Sequence, residues 1–325
     1  MSMFRRSKQF ARERKSDGEE KPLVVYGALA ANLVIGIAKL VAAALSGSSV
    51  MISEGIHSLA DSGNELLLLL GLQRSRLPAD DRHPYGHGKE LYFWSLIVAM
   101  VLFAGGGGMS IYEGISHILE PEPLRDPTYN YVVLGIALVF ESSSLLVAVR
   151  RLKRDLPGRS YFAALRASKD PTVFMVAGED TAALIGIAVA FAGVLTSQLT
   201  GMAEFDGVAS LVVGAILCAV SLLLASETRA LLIGESGGAA LNESIEKISR
   251  SDPSVRRTGR ALTMQLGPRE VLLNLELEFS PQLSMRELRT AIERIESEIR
   301  AAHPEVTRIF LEARALQAAE PQPSP

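Results

Sequence analysis

The chain has 325 residues, of which 48% are hydrophobic and 21% are charged, and its formal net charge at pH 7 is -3. Its mean hydropathy of +0.23 exceeds that of an ordinary soluble domain. The single cysteine, Cys218, excludes an internal disulfide, and we expect it to be a small packing residue. The composition therefore indicates a membrane protein with a soluble part.

Six stretches have about 20 mostly apolar residues, the length that crosses a bilayer. They cover approximately residues 23–45, 50–72, 91–119, 131–149, 173–195 and 205–225. Lysine and arginine are concentrated in the N-terminal segment and in the second and fourth loops, whereas the third loop has only Arg125. Because positively charged loops stay in the cytoplasm, both termini are predicted to be cytoplasmic. The alternative, a large soluble helical bundle, does not explain this charge pattern.

The apolar stretches and the polar ends predict four regions. These are a disordered basic cytoplasmic tail (1–20), a transmembrane domain of six helices (21–235), a cytoplasmic domain (236–315) and a short disordered tail (316–325). The first twenty residues have no apolar core, so we expect no secretory signal there. We expect the protein in a bacterial inner (plasma) membrane.

The cytoplasmic domain is predicted to be a small α+β domain of ferredoxin-like type. Its pattern predicts the order αββαβ, with elements at 241–248, 261–266, 271–279, a helix from Ser284 and a last strand at 306–311. Ser284 and Glu287 form a capping-box signature. His303, before Pro304, is predicted to be exposed at a helix end, and with no cysteine nearby we expect no metal cluster in this domain.

The second apolar stretch contains His57 and Asp61, which are four residues apart and therefore share one face of a helix. A charged group in a bilayer costs at least ~2.5 kcal/mol on insertion scales, so such groups usually have a function. An imidazole and a carboxylate together suit a borderline divalent cation. Glu65 continues the stripe and is a candidate proton relay. The alternative is that these groups only bond to neighbouring helices.

The fifth apolar stretch contains the adjacent acids Glu179 and Asp180. Neighbouring side chains on a helix point about 100° apart, so both acids are not expected to face one site. We predict Asp180 as a ligand, and Glu179 either as a further ligand or as a partner for another helix. Glu141 in the fourth stretch is either a proton relay or a structurally satisfied acid.

The second loop contains a carboxylate and two imidazoles within eight residues. Gly86 and Gly88 let the backbone turn, so that Asp80, His83 and His87 can converge on a metal ion. Spacing alone leaves open the alternative of an ordinary polar loop.

These features together resemble the cation diffusion facilitator family. The resemblance covers nearly the whole chain: six spans, cytoplasmic termini, the His-x-x-x-Asp pair at His57 and Asp61, the loop motif and a ferredoxin-like C-terminal domain. The most specific match is the segment 83–90, which reads His-Pro-Tyr-Gly-His-Gly-Lys-Glu. The resemblance strengthens the interpretation of the loop as a metal site.

The resemblance implies a homodimeric secondary transporter that exports zinc, or manganese, iron or cobalt, in exchange for protons by alternating access. The transport ligands would be His57, Asp61 and Asp180. Lys89 is similar to a basic residue that pairs with an acid and holds the dimer in relatives, and the candidate acids are Glu227 and Glu235. The implied partners are the bilayer and protons, with no nucleic acid, no enzymatic activity and no organic cofactor.

The sequence departs from the family pattern in two places. The position four residues before Asp180 is usually histidine or aspartate, and here it is Val176. Glu179, Asn64 or water would have to take that place, and fewer imidazoles shift the preference toward harder ions such as manganese, with zinc still an option. The C-terminal domain also lacks the histidines that bind regulatory metal in some relatives, so dimerisation is its expected role.

Two other functional classes compete with a transporter. An intramembrane metalloprotease needs a zinc motif such as His-Glu-x-x-His, which this sequence lacks. A membrane metal sensor or scaffold of the same fold that does not transport stays open because of Val176.

Overall fold

The computed structural model describes residues 22–121 and 125–315; the two predicted disordered tails, 1–20 and 316–325, lie outside the described residues. The described chain is mainly helical and ends in a small sheet domain. Its elements are α1 Pro22–Ser46, α2 Ser49–Ser75, α3 Glu90–Leu119, α4 Thr128–Asp155, α5 Tyr161–Ala167, α6 Pro171–Thr200, α7 Glu204–Ile233, α8 Ala239–Ser251, β1 Val255–Thr258, β2 Leu262–Gly267, β3 Glu270–Phe279, α9 Met285–Ala302 and β4 Val306–Ala315.

Each of the six apolar stretches lies within one long helix, namely α1, α2, α3, α4, α6 or α7. Four of these, α3, α4, α6 and α7, are long and apolar enough to cross a membrane. The described apolar part of α1, Asn32–Ser46, is shorter. Helix α2 is 27 residues long but includes acidic residues and a basic last turn, which reduce its mean hydropathy. The structure thus supports a helical membrane domain through four apolar helices.

The chain divides into two compact units. The first comprises Met1–Leu67, Ile97–Arg151 and Val176–Leu223, and the second comprises Leu68–Leu96, Leu152–Met175 and Leu224–Pro325. Several long helices therefore contribute residues to both units. The domain boundary predicted near residue 235 remains a prediction.

In the first unit, α3 and α7 approach each other through small residues. The segment Leu102–Gly108 of α3 is a π-helix that includes the run of four glycines. A Cβ on Gly107 would collide with Cys218 of α7, and one on Gly114 would collide with the backbone of Leu211. Only glycine permits backbones this close, and the contact of Cys218 with this segment agrees with the packing role predicted for that residue.

The start of α2 is fixed by an aspartate of α7. The fully buried Asp206 carboxylate accepts hydrogen bonds from the backbone amides of Ser49 at 2.5 Å and Val50 at 3.2 Å, and from the Ser48 hydroxyl at 2.7 Å. The first amides of a helix have no partner within the helix, and a carboxylate at this end also suits the helix dipole. Asp206 therefore anchors the helix that contains His57 and Asp61.

In the second unit, a four-stranded sheet is centred on β3. Strand β2 pairs antiparallel with the first half of β3, β1 pairs antiparallel with its last residues, and β4 runs parallel along nearly its full length. Since β2 and β4 pair with the same residues of β3, they lie on opposite edges, and β1 extends the edge of β2. The predicted order αββαβ is present, with the additional short strand β1.

The sheet and helices enclose the hydrophobic core expected from the alternating pattern of β3. Leu273, Leu275 and Leu277 are fully buried, and α9 contributes Ala291, Ile295 and Ile299. The predicted capping box at Ser284 is present at the start of α9. His303 ends this helix as predicted, but it is half-buried rather than exposed, because its Nε2 lies 2.8 Å from the Ser244 Oγ.

Candidate metal sites

Helix α2 holds His57 and Asp61 inside the first unit. Both side chains are largely shielded from solvent, and the His57 Nδ1 lies 3.4 Å from the Asp61 Oδ1. Within the described residues, both ring nitrogens of His57 and the Asp61 Oδ1 lack a hydrogen-bond partner. Buried polar atoms without partners are rare and cost about 1–3 kcal/mol each. The pair therefore presents potential ligand atoms without partners at a buried position, where the lack of a partner destabilises the protein.

Helix α6 adds two acids to the same unit, and they have different partners. The Glu179 Oε1 accepts a hydrogen bond of 3.0 Å from the Asn64 Nδ2 of α2. The Asp180 Oδ2, in contrast, has no hydrogen-bond partner among the described residues. Glu179 is thus linked to α2, which matches one of its two predicted roles, whereas Asp180 keeps an oxygen available for a cation.

The predicted membrane ligands are not drawn together as tightly as the loop ligands. In residues 22–121 and 125–315, the only group of three or more potential ligands whose atoms all lie within 4.8 Å is Asp80, His83 and His87. Zinc holds its nitrogen and oxygen ligands at about 2.0–2.2 Å, which places them within such a distance of one another. His57, Asp61 and Asp180 would therefore have to move closer to bind one ion.

The two candidate proton relays differ in their surroundings. The Glu65 Oε1 accepts a hydrogen bond of 2.7 Å from the Asn32 Nδ2 of α1, while its Oε2 has no partner among the described residues. Glu141 is half-buried on α4. A relay role for either acid stays a prediction.

Sequence reasoning missed Lys39 of α1, a charged residue of this unit. Lys39 and Glu54 are completely buried, and the Lys39 Nζ lies 2.9 Å from the Glu54 Oε2. The same ammonium donates to the Ser58 Oγ at 2.9 Å. A lone lysine in the apolar stretch 23–45 was the available signal, because an intramembrane charge calls for a partner.

The loop residues Asp80, His83 and His87 form the compact cluster that their spacing predicted. The Asp80 Oδ1 lies 3.2 Å from the His83 Nδ1, and the Asp80 Oδ2 lies 3.5 Å from the His87 Nε2. The two imidazole rings are 4.3 Å apart. Gly86 adopts a φ of +91°, a conformation that only glycine takes easily and that turns the chain between the two histidines.

Backbone contacts prepare this cluster for a cation. The His87 Nδ1 lies 3.1 Å from the Pro78 carbonyl oxygen, so the proton on Nδ1 leaves the lone pair of Nε2 facing Asp80. The His83 backbone amide donates to the Asp80 Oδ1 and lowers the pKa of this carboxyl below its ordinary value. Asp80 is therefore ionised at neutral pH, as a metal ligand must be.

Lys89 and its two candidate acids do not pair within one chain. The Lys89 Nζ donates to the Leu232 carbonyl oxygen at 3.3 Å. The Glu235 Oε1 instead lies 2.6 Å from the Lys169 Nζ, and the Glu227 Oε1 lies 4.0 Å from the Arg166 Nε. A dimer role for Lys89, Glu227 or Glu235 stays a prediction.

Comparisons with known proteins place these features in a family. The family model described as the cation efflux transmembrane domain matches residues 25–233. The chain is 34% identical over 265 residues to the human "Proton-coupled zinc antiporter SLC30A9, mitochondrial", a match that covers 81% of this chain and 47% of that protein. It is 32% identical over 284 residues to "Metal tolerance protein C4" of Arabidopsis thaliana, covering 87% and 62%.

A bacterial relative matches over most of both lengths. The chain is 28% identical over 289 residues to "Cation-efflux pump FieF" of Cronobacter sakazakii, covering 87% of this chain and 90% of that protein. In contrast, this chain spans about half of the length of SLC30A9. Since the family match extends over more than half of the chain and coincides with the apolar helices, the chain belongs to the cation efflux, or cation diffusion facilitator, family of integral membrane proteins.

Proposed function

We propose that the protein exports a divalent metal cation in exchange for protons by alternating access. His57 and Asp61 of α2 and Asp180 of α6 bind the transported ion. The observation that supports this most strongly is the set of buried nitrogen and oxygen atoms on these residues that lack partners within the described chain. A divalent cation or protons would satisfy these atoms, and a purely structural role would not.

Zinc is the first candidate for the transported ion. SLC30A9 is named a zinc antiporter, and an imidazole with two carboxylates suits zinc, with manganese, iron and cobalt as further candidates. Val176 gives no ligand at the usual position of the family. The Asn64 Oδ1, which has no hydrogen-bond partner among the described residues, and the Glu179 carboxylate lie together nearby and supply additional oxygen.

Competition for the same atoms couples metal movement to proton movement. Carboxylates and imidazole bind metal only when they have released their protons. Metal that arrives from the cytoplasm therefore displaces protons, and protons that return from the far side displace metal. Glu65 and Glu141 are the proposed relays between the site and the aqueous phases.

The proposed arrangement in the membrane has six spans, with α1 and α2 completing the four strongly apolar helices. The membrane is a bacterial inner membrane, and both termini lie on its cytoplasmic side. Residues 236–315 form a cytoplasmic domain that joins two copies of the chain, with Lys89 and Glu227 or Glu235 contributing to the dimer. The cluster of Asp80, His83 and His87 binds a second metal ion on the cytoplasmic side.

Metal uptake into inverted membrane vesicles under an imposed pH gradient tests this proposal. We expect zinc uptake by the wild type and its loss in Asp61→Asn and Asp180→Asn, which keep the side-chain shape and remove the charge. Ser62→Ala is the matched control, because among the described residues the Ser62 hydroxyl bonds only to the Ser58 carbonyl oxygen of its own helix, at 3.1 Å. Unchanged flux of zinc, manganese and cobalt in both aspartate variants would refute the proposal.

A metal sensor or scaffold without transport is the second candidate. Two observations favour it: Val176 at the usual ligand position, and the larger separation of His57, Asp61 and Asp180 compared with the loop cluster. A sensor would bind zinc without moving it across the vesicle membrane, so the same flux measurement separates the two functions.

A further inference from the structure

Lys39 and Glu54 form a completely buried ion pair in the first unit. Both side chains are 0% exposed, and the ammonium has two partners on α2, namely the Glu54 Oε2 and the Ser58 Oγ, each at 2.9 Å. Removing one partner of a buried ion pair typically costs several kcal/mol, since the other charge remains. Such a pair fixes the positions of both side chains tightly.

This pair lies close to the proposed transport ligands along α2. Glu54 precedes His57 by three residues, and Ser58 directly follows His57. The two partners of Lys39 therefore lie in the same part of α2 as His57 and Asp61. Three residues correspond to about 4.5 Å along a helix axis. The Lys39 side-chain nitrogen is therefore held roughly one helical turn from the metal ligands.

Glu54 has a second oxygen that Lys39 does not hold. Among the described residues, the Glu54 Oε1 has no hydrogen-bond partner, and it faces Gly186 of α6, where a Cβ would collide with it. Gly186 follows Asp180 by six residues on the same helix. The Glu54 side chain thus extends from α2 toward α6, the two helices that contribute the transport ligands. Its free carboxylate oxygen has the chemistry of a further metal ligand.

We propose that Lys39 is a positioning residue that keeps Glu54 out of the coordination sphere of the metal and sets the affinity of the site. The inference rests on the proposed function of His57 and Asp61. The Lys39 ammonium neutralises the Glu54 carboxylate, so that a nearby acid adds neither a ligand nor net negative charge. The site then binds a divalent cation weakly enough to release it during each transport cycle.

A double-mutant cycle of Lys39 and Glu54, measured by zinc titration at pH 8, tests this role. All four have His83→Ala and His87→Ala, so that the loop does not contribute: the parent, Lys39→Met, Glu54→Gln, and the double variant Lys39→Met/Glu54→Gln. Removing the ammonium alone should tighten zinc binding by roughly tenfold or more, and removing the carboxylate alone should weaken it similarly. The double variant should return to within about threefold of the parent affinity.

The opposite signs distinguish a charge effect from structural damage, which would not tighten binding. In vesicles, Lys39→Met should lower both the KM and the kcat for zinc, because a more tightly bound ion leaves more slowly, whereas Lys39→Arg should keep the wild-type values. If Lys39→Met alone does not fold, the comparison of Glu54→Gln with the double variant still measures removal of the ammonium. Shifts of equal sign, or no shift, would overturn the inference.

One further variant separates failure of the inference from failure of the proposed function. Asp61→Asn in the same background should abolish zinc binding in the membrane domain. If the parent binds none of zinc, manganese, iron and cobalt, the proposed function fails. If the parent binds zinc and Asp61→Asn does not, while the Lys39 and Glu54 variants have the parent affinity, only the role of Lys39 is refuted.

Discussion

At the scale of single residues, the site is defined by which buried atoms have partners and which do not. Glu179 and Glu65 each accept a hydrogen bond from an asparagine, at 3.0 Å and 2.7 Å. Within the described residues, His57 has no hydrogen-bond partner on either ring nitrogen. Glu179 and Glu65 therefore have a hydrogen-bond partner without a metal ion, whereas His57 has none among the described residues. This contrast makes His57 and the oxygens next to it the centre of the proposed transport site.

The replacement Val176→His tests how the missing imidazole affects selectivity. Position 176 precedes Asp180 by one helical turn, so a histidine there lies on the same face of α6. A second imidazole makes the ligand set softer and favours zinc over manganese. We expect the zinc-to-manganese preference to rise by about tenfold, which corresponds to ~1.4 kcal/mol.

Competition between zinc and manganese during vesicle uptake measures this preference. Val176→Leu is the matched control, because it changes the side-chain volume without adding a ligand. An unchanged preference in the histidine variant, with uptake intact, would show that position 176 does not face the transported ion.

The loop cluster is expected to bind one metal ion per chain. Replacing His83 and His87 with alanine removes two of its three ligands, so the number of zinc ions bound should fall by one per chain in isothermal titration. Asp81→Asn is the control, since Asp81 neighbours the cluster in sequence but is not one of its three residues. Unaltered stoichiometry in the double histidine variant would leave the loop with a structural role only.

Sequence reasoning found the residues whose partners are close along the chain. His57 and Asp61 follow helical spacing, and Asp80, His83 and His87 lie within eight residues, so local patterns were sufficient. It missed Lys39, whose partner is 15 residues away on another helix, and it did not identify Asp206, whose contacts with α2 span more than 150 residues. Contacts of this kind depend on how helices pack, which hydropathy and spacing do not specify.

At the scale of elements, the long helices were predictable because apolar runs of this length have few alternatives. Less regular elements were not predicted. The π-helical segment of α3 depends on the poor helix propensity of four consecutive glycines and on the close approach of α7. Strand β1 has only four residues, two of which are arginine, so it lacks the apolar alternation of β3. Strand β1 therefore forms through its backbone pairing with β3, which the local sequence does not predict.

The end of α8 and the middle of α9 are linked by an ion pair that predicts a pH dependence. Arg294 donates to both oxygens of the nearly buried Asp252, at 2.6 and 2.8 Å, and these bonds lower the pKa of Asp252 below its ordinary value of 3.8. A carboxylate with a lowered pKa in the folded state stabilises the fold above its ordinary value. This contribution is lost as the pH falls from 3.8 through the lower folded value.

Hydrogen exchange of the sheet in the full-length protein measures this contribution. Asp252→Asn should exchange faster than the wild type at pH 7, and the ratio of the two rates should fall toward one as the pH drops from 3.8 through the lower folded pKa. Intrinsic exchange rates cancel in this ratio because both proteins are compared at the same pH. Glu293→Gln is the control, because its bond to Arg289 is on the exposed surface of α9 and contributes little. A rate ratio for Asp252→Asn that does not change with pH would contradict this role of the ion pair.

At the scale of the whole molecule, the central claim is that metal and protons use the same buried atoms in turn. The most direct test is zinc transport in proteoliposomes that contain a pH-sensitive dye, with the membrane potential clamped. Zinc that enters the lumen through the wild type should make the lumen alkaline as protons leave, and Asp61→Asn and Asp180→Asn should produce neither zinc uptake nor a pH change. Zinc uptake without proton movement in the wild type, or wild-type coupling in both variants, would contradict the claim.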